Sequence, residues 1–162
     1  MISRLATVCL VLVAACTGDA GSTGTDGGGG SSGTDAAHQA CIDQSNMYRT
    51  TNGKAALVRS AALEAYADDG AMHDFSTQPH DHFSTTGGGG IAFAENECPQ
   101  QGNWNLPAGG DMAALVRQCI DAFYSEGPGG GHYDNLMGAY SKIGCGIYQS
   151  GTKVTIVQDL GN

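Results

Sequence analysis

Two glutamates in this sequence stand where a carboxylate is costly. Met112, Leu115, Val116, Cys119, Ile120 and Phe123 recur at i, i+3, i+4, i+7, i+8 and i+11, the apolar stripe of a helix, and Glu126 continues that stripe three residues after Phe123. It also falls at the C-terminal end of that helix, where the macrodipole disfavours negative charge. Glu95 alternates with Ile91 and Phe93 in a segment that reads as a strand, so it points inward if that face is the core. Inward carboxylates need partners. Histidines are the candidates: His132 follows Gly129-Gly130-Gly131, and His80 and His82 lie in the loop Pro79-His80-Asp81-His82-Phe83. A single loop histidine is ordinarily solvated. Two inward glutamates and two histidines together can build a site for a divalent cation or an acid–base pair. Two histidines and a glutamate holding Zn²⁺, with the other glutamate as base for a bound water, would make a hydrolase or peptidase. The sequence carries no His-Glu-x-x-His and no Gly-x-Ser-x-Gly to support established hydrolase chemistry or a serine nucleophile.

The elements that must hold these residues are legible in outline. A first helix is expected from about Gln39 to Thr50, ended by Asn52-Gly53. A second is expected from about Ser60 to Met72, with Val58, Ala61, Ala62 and Ala65 on its packing face and close approach to a neighbour. The third carries the stripe described above, with Asp111 as its N-cap and Gly127-Pro128 as its stop. Ile91 to Glu97 reads as a strand. Ile143 to Tyr148 and Lys153 to Asp159 read as a hairpin around Ser150-Gly151. No βαβ rhythm appears, which predicts an α+β arrangement with a mostly antiparallel sheet.

The N-terminus reads as an export signal. Arg4 precedes an apolar run from Leu5 to Ala15 that is too short to span a bilayer. Val13-Ala14-Ala15-Cys16 matches the bacterial lipobox, in which the cysteine is lipidated and becomes the first mature residue. Residues 1–15 are therefore read as signal peptide. Residues 16–37 are read as lipidated Cys16 plus a flexible Gly/Ser/Thr-rich linker, and 38–162 as one domain. Thr17, in place of an inner-membrane retention Asp, favours the outer membrane or cell surface. Loss of Arg4, the one charge in 1–15, takes the formal net charge from -9 to -10, which argues against nucleic acid as a partner. Cys41, Cys98, Cys119 and Cys145 remain for two disulfides. The preferred pairing joins Cys41 to Cys119 or Cys145, and Cys98 to the one left over.

Five short motifs occur in an order that resembles the CAP superfamily, which comprises cysteine-rich secretory proteins, antigen 5 and pathogenesis-related 1 proteins, also called SCP-like extracellular domains. They are Asn46-Met47-Tyr48-Arg49, the loop around His80, Ala94-Glu95-Asn96, Phe123-Tyr124-Ser125-Glu126, and Gly131-His132-Tyr133 leading to Ile143-Gly144-Cys145-Gly146. Ala94 stands for the family's usual glycine, Phe123 for its tryptophan, and Asp134-Asn135 for its Thr-Gln. The resemblance implies an α-β-α sandwich, with the small sheet between helices and a cleft holding a tetrad of His80, Glu95, Glu126 and His132. His82 is the alternative first histidine. It further implies Zn²⁺ or another divalent cation on the histidines. The expected function is non-catalytic binding of a small lipid or an extracellular protein; a zinc-dependent hydrolase or peptidase is the alternative, and a buried polar cluster with no ligand a third reading.

Overall fold

The computed structural model describes residues 31–162. The signal-peptide segment, Cys16 and the linker before Ser31 lie outside the described residues. The chain runs α1 (Ser31–Thr51), β1 (Val58–Arg59), α2 (Ala61–Ser76), α3 (Asp81–Thr86), β2 (Ala94–Cys98), α4 (Met112–Ser125), α5 (Gly131–Leu136), β3 (Lys142–Ser150) and β4 (Lys153–Gly161). The four strands form one sheet in the order β1-β3-β4-β2. β1 pairs parallel to β3, and the other two pairings are antiparallel. α2 lies on one face of β3 and β4; α1 and α4 pack together on the other, with α5 against β2. The fold is the expected α-β-α sandwich.

The hairpin register assigns every side chain to a layer, because successive residues of a strand face opposite ways. Ile143, Cys145, Ile156 and Leu160 are fully buried on the side of α1 and α4, with Val116, Cys119, Ile120 and Phe123 of α4 in the same core. Two disulfides close this side. Cys41 of α1 joins Cys145 of β3, and Cys98 of β2 joins Cys119 of α4. This is one of the two pairings preferred from the sequence. Asp111 caps α4 as expected, its side chain accepting from the Ala114 N–H at 3.1 Å.

The opposite side is built from small residues. Leu63, Ala67, Gly70, Ala71 and Asp74 form the buried face of α2. A Cβ at Gly144 or Gly146 of β3 would collide with the backbone of Leu63 or Ala67, so these glycines let the helix lie directly on the strand. Close approach was expected of α2, but on the wrong face: Ala61, Ala62 and Ala65 are exposed. Val58 is also exposed, and it belongs to β1 rather than to the helix.

Two further boundaries differ from expectation. α1 begins at Ser31 rather than near Gln39, so residues 31–37 are helix and not linker. Tertiary contacts outweigh their weak helix propensity: Ala37 is fully buried, and Asp35 pairs with Arg59 at 2.8 Å. Ile91 and Phe93 lie outside β2 and are exposed. They therefore do not define an inward face, and Glu95 is buried for another reason, given below.

Asn46 and Arg49 fasten this frame. The Asn46 side chain exchanges two hydrogen bonds with the backbone of Leu57, at 2.7 and 2.9 Å. The buried Arg49 guanidinium donates to the carbonyls of Ala55, Leu136 and Gly138 at 2.7–3.0 Å. α1 is thus tied to the turn after α5, which sets the position of the segment carrying His132.

Candidate metal centre

β2 is the edge strand on the β4 side, and the cleft forms along it. The loop between α2 and α3 brings His80 to it, and the turn between α4 and α5 brings His132. Glu95, two residues from Glu97 along β2, shares a face with it, and both side chains turn toward α2 rather than toward the α1–α4 core. This register, and cover by the α2–α3 loop, explains why both are buried: the side chains are 1% and 0% exposed.

His80 is held from two directions. Its Nδ1 lies 2.8 Å from Glu95 Oε1 and 3.9 Å from Glu97 Oε2, and its backbone N–H donates to Glu97 Oε2 at 2.7 Å. Its φ of 62° is left-handed, a conformation that a non-glycine residue holds only when its surroundings impose it. The two carboxylates supply that constraint. Among the described residues, His80, Glu95 and Glu97 are the one group of three whose ligand atoms all lie within 4.8 Å of one another. Metal–donor bonds of about 2.1 Å place neighbouring donors about 3.4 Å apart in tetrahedral geometry, a spacing the three donors bracket.

The electrostatics match a site short of positive charge. Burial pushes the Glu97 carboxyl up to about 7, with Asp74 and Glu95 adding repulsion. Burial also raises Glu95, against the opposing pull of His80. The hydrogen bond to Glu95 raises His80. Glu95 Oε2 and Glu97 Oε1 are buried and have no hydrogen-bond partner.

The second pair stands across the cleft. His132 Nδ1 lies 2.5 Å from Glu126 Oε1, and the His132 N–H donates to Glu126 Oε2 at 3.0 Å. The His132 ring stacks on Phe123 with centroids 4.8 Å apart, and it lies 6.4 Å from the His80 ring. Glu126 does not point into the core; its side chain is 36% exposed at the cleft rim. The penalty at the end of α4 is offset because the same carboxylate sits at the N-terminus of α5, where backbone N–H groups are free to donate. The hydrogen bond from His132 holds its pKa below the usual carboxylate range.

The four residues singled out in the sequence thus meet as two His–Glu pairs. Glu97 was missed, although its period-two spacing from Glu95 signals the shared face. His82, the alternative first histidine, sits in α3 with its ring against Tyr66 at 4.6 Å, while its backbone N–H donates to Asp74. It is His80 whose ring faces His132. An open pocket of about 380 Å³ lined by His80, Phe83, Phe93, Ala94, Glu95 and Asn135 adjoins the site. A larger groove of about 530 Å³, beside Leu106, Met112 and Ile147, includes none of these histidines or glutamates.

An α-β-α sandwich with paired histidines and glutamates along a sheet edge defines the class. The sequence matches the CAP cysteine-rich secretory protein family over residues 42–160, and the chain belongs to that family. A search of curated proteins found no match. CAP domains are extracellular, and two disulfides fit an exported protein.

Proposed function

We propose that this chain is an exported binding domain whose cleft holds a divalent cation, Zn²⁺ in the first instance, on His80, Glu95 and Glu97. The observation that carries this reading is the burial of two adjacent carboxylates against a single imidazole. That arrangement leaves negative charge without a counter-charge unless protons or a cation supply it. His132 and Glu126 stand across the cleft as the wall that a metal-held ligand would meet. Exposed Phe93 and half-buried Phe83 beside His80 offer an apolar surface, so the ligand class is a small amphipathic molecule with a metal-binding end. Titration calorimetry of the metal-free protein tests the site. Zn²⁺ binding is expected at neutral pH, lost in His80→Ala and weakened at least tenfold in Glu97→Gln. Absence of binding in the unsubstituted protein would return the site to a polar cluster.

A second reading, a metal-dependent hydrolase, draws on one observation. The His132–Glu126 pair has the form of an imidazole oriented by a carboxylate, which could serve a metal-held water. A screen of peptide and ester substrates on zinc-loaded protein separates the two: the binding reading expects no turnover, and turnover abolished by Glu126→Gln would replace it.

Membrane attachment belongs to the same reading. The lipobox ending at Cys16 supports a lipid anchor at a bacterial cell surface or outer membrane, with the following glycine-rich stretch as tether. Cys16→Ala should abolish fatty-acid labelling and release the protein from membranes; unchanged labelling contradicts the anchor.

A further inference from the structure

The opening turns of α1, Ser31-Ser32-Gly33-Thr34-Asp35, are made of residues that favour helix weakly, yet they are helical. A charged cluster between α1 and α2, none of whose members belongs to the His80 cleft, fastens them. His38 is its centre. The His38 side chain is 6% exposed and sits between two carboxylates one turn apart on α2: Nδ1 lies 3.2 Å from Glu64 Oε1, and Nε2 lies 3.2 Å from Asp68 Oδ1. Each carboxylate is itself held. Arg59 of β1 engages both oxygens of Glu64, at 2.7 and 2.8 Å, and Asp68 Oδ1 accepts the Ile147 N–H of β3 at 3.0 Å. Arg59 also donates to Asp35 and Gln39, on either side of His38 in α1.

We propose that His38 is a buried imidazolium acting as a pH-sensitive clamp, which holds the N-terminal turns of α1 against α2 while protonated and releases them when it gives its proton to alkaline solvent. The geometry calls for the charge. A neutral imidazole carries a proton on one nitrogen only, so the lone pair of the other would face a carboxylate oxygen 3.2 Å away. An imidazolium presents a proton to each. The charge count agrees. The cluster holds Asp35 from α1, Arg59 from β1, and Glu64 and Asp68 from α2, while β3 contributes only a backbone N–H. Three carboxylates thus surround one arginine, and protonated His38 is their second cation. Burial alone would lower the His38 pKa; the hydrogen bond to Asp68 and the charges of Asp68 and Glu64 outweigh burial and the opposing Arg59, and the pKa is raised. With a raised folded value, the clamp is fully closed below the ordinary histidine range and weakens as pH rises through that folded value. The Cys41–Cys145 disulfide confines the release to the turns before it. Thr34 and Ala36 of those turns line the groove beside Leu106 and Met112, which therefore loses one wall when the clamp opens.

Two measurements on the unsubstituted full chain test this between about pH 6 and about pH 9. Long-range proton–nitrogen spectra of the imidazoles read the charge: His38 should carry a proton on both nitrogens at neutral pH and become a neutral tautomer only on the alkaline side. Hydrogen exchange, corrected for intrinsic rate, reads the release. Amides 35–38 should lose protection about tenfold as His38 titrates, beyond any change in the amides of α4, which report global stability. In His38→Gln, checked for folding by thermal melting, the same amides should already be open at the acid end and show no such pH dependence. A neutral His38 at pH 7 would overturn the imidazolium. Amides 35–38 that follow those of α4 at every pH in the unsubstituted chain would overturn the clamp.

Discussion

The two faces of the sheet are built to opposite rules. Toward α1 and α4, Ile143, Cys145, Ile156 and Leu160 meet the apolar stripe of α4, and two disulfides lock the layer. Toward α2, the buried apolar residues shrink to Leu63, Ala67, Ala71 and Val157, and four buried carboxylates stand among them: Glu95, Glu97 and Asp159 on the strands, Asp74 on the helix. Buried carboxylates cost stability unless paired, whereas buried aliphatic side chains supply it. One face carries the fold, and the other spends part of that stability to hold an acidic site in place.

The largest effect should come from unlocking the stable face. Cys41→Ala with Cys145→Ala frees a loop spanning 104 residues, and about 4 kcal/mol of stability should be lost. Urea unfolding checks this; a loss below about 1 kcal/mol would mean that the α1–α4 side does not depend on its covalent clamp. Next comes Arg49→Met, which leaves the carbonyls of Ala55, Leu136 and Gly138 without their donor. It should cost about 3 kcal/mol.

The acidic face should respond with the opposite sign. Asp159→Asn removes a buried ionisable group and should stabilise the metal-free protein by about 2 kcal/mol near pH 8. The gain should vanish below about pH 3, where the aspartate is protonated in both states. The same reasoning fixes the pH dependence of the metal-free chain. Glu97 and Asp159 titrate near about 7 and about 9 when folded, against about 4 when unfolded. Between those values the folded state binds more protons, so stability is full below about pH 4 and falls as pH rises toward 9. His80, raised by Glu95, acts in the same direction, losing its contribution as pH rises through its folded value. Glu126, lowered by His132, opposes them only at acid pH. Unfolding midpoints at about pH 5.5 and 8.5 compare the ends of this range, and a higher midpoint at the alkaline end would contradict the account.

The smallest effect should be Glu126→Gln. Its exposed carboxylate makes its bonds at the rim, so stability should change by less than about 1 kcal/mol while the geometry of His132 shifts. A large loss would mean that Glu126 supports the fold after all.

How much the sequence disclosed follows the same division. α4, its Asp111 cap, the terminal hairpin and the disulfide framework were legible because aliphatic periodicity and cysteine count report directly on an apolar, cross-linked layer. The buried face of α2 was not. Leu63, Ala67, Gly70, Ala71 and Asp74 recur at helical spacing, but glycine, alanine and aspartate carry no hydrophobic signal, and the nearby Ala61, Ala62 and Ala65 present a competing stripe. Glu95 was singled out as inward from Ile91 and Phe93, which proved exposed; the position was right and the neighbours were not. Glu97 could have been found from its spacing. Asp159 could not, because its place beside Glu95 depends on the register between β2 and β4, which no local pattern encodes.

The claim on which the rest depends is that the buried carboxylates on the α2 face hold a metal with His80. Anomalous diffraction from crystals of the full chain grown with Zn²⁺, collected on either side of the zinc edge, tests it most directly. The account predicts a peak among His80, Glu95 and Glu97. A peak confined to His132 and Glu126, or none with the protein otherwise intact, would contradict it.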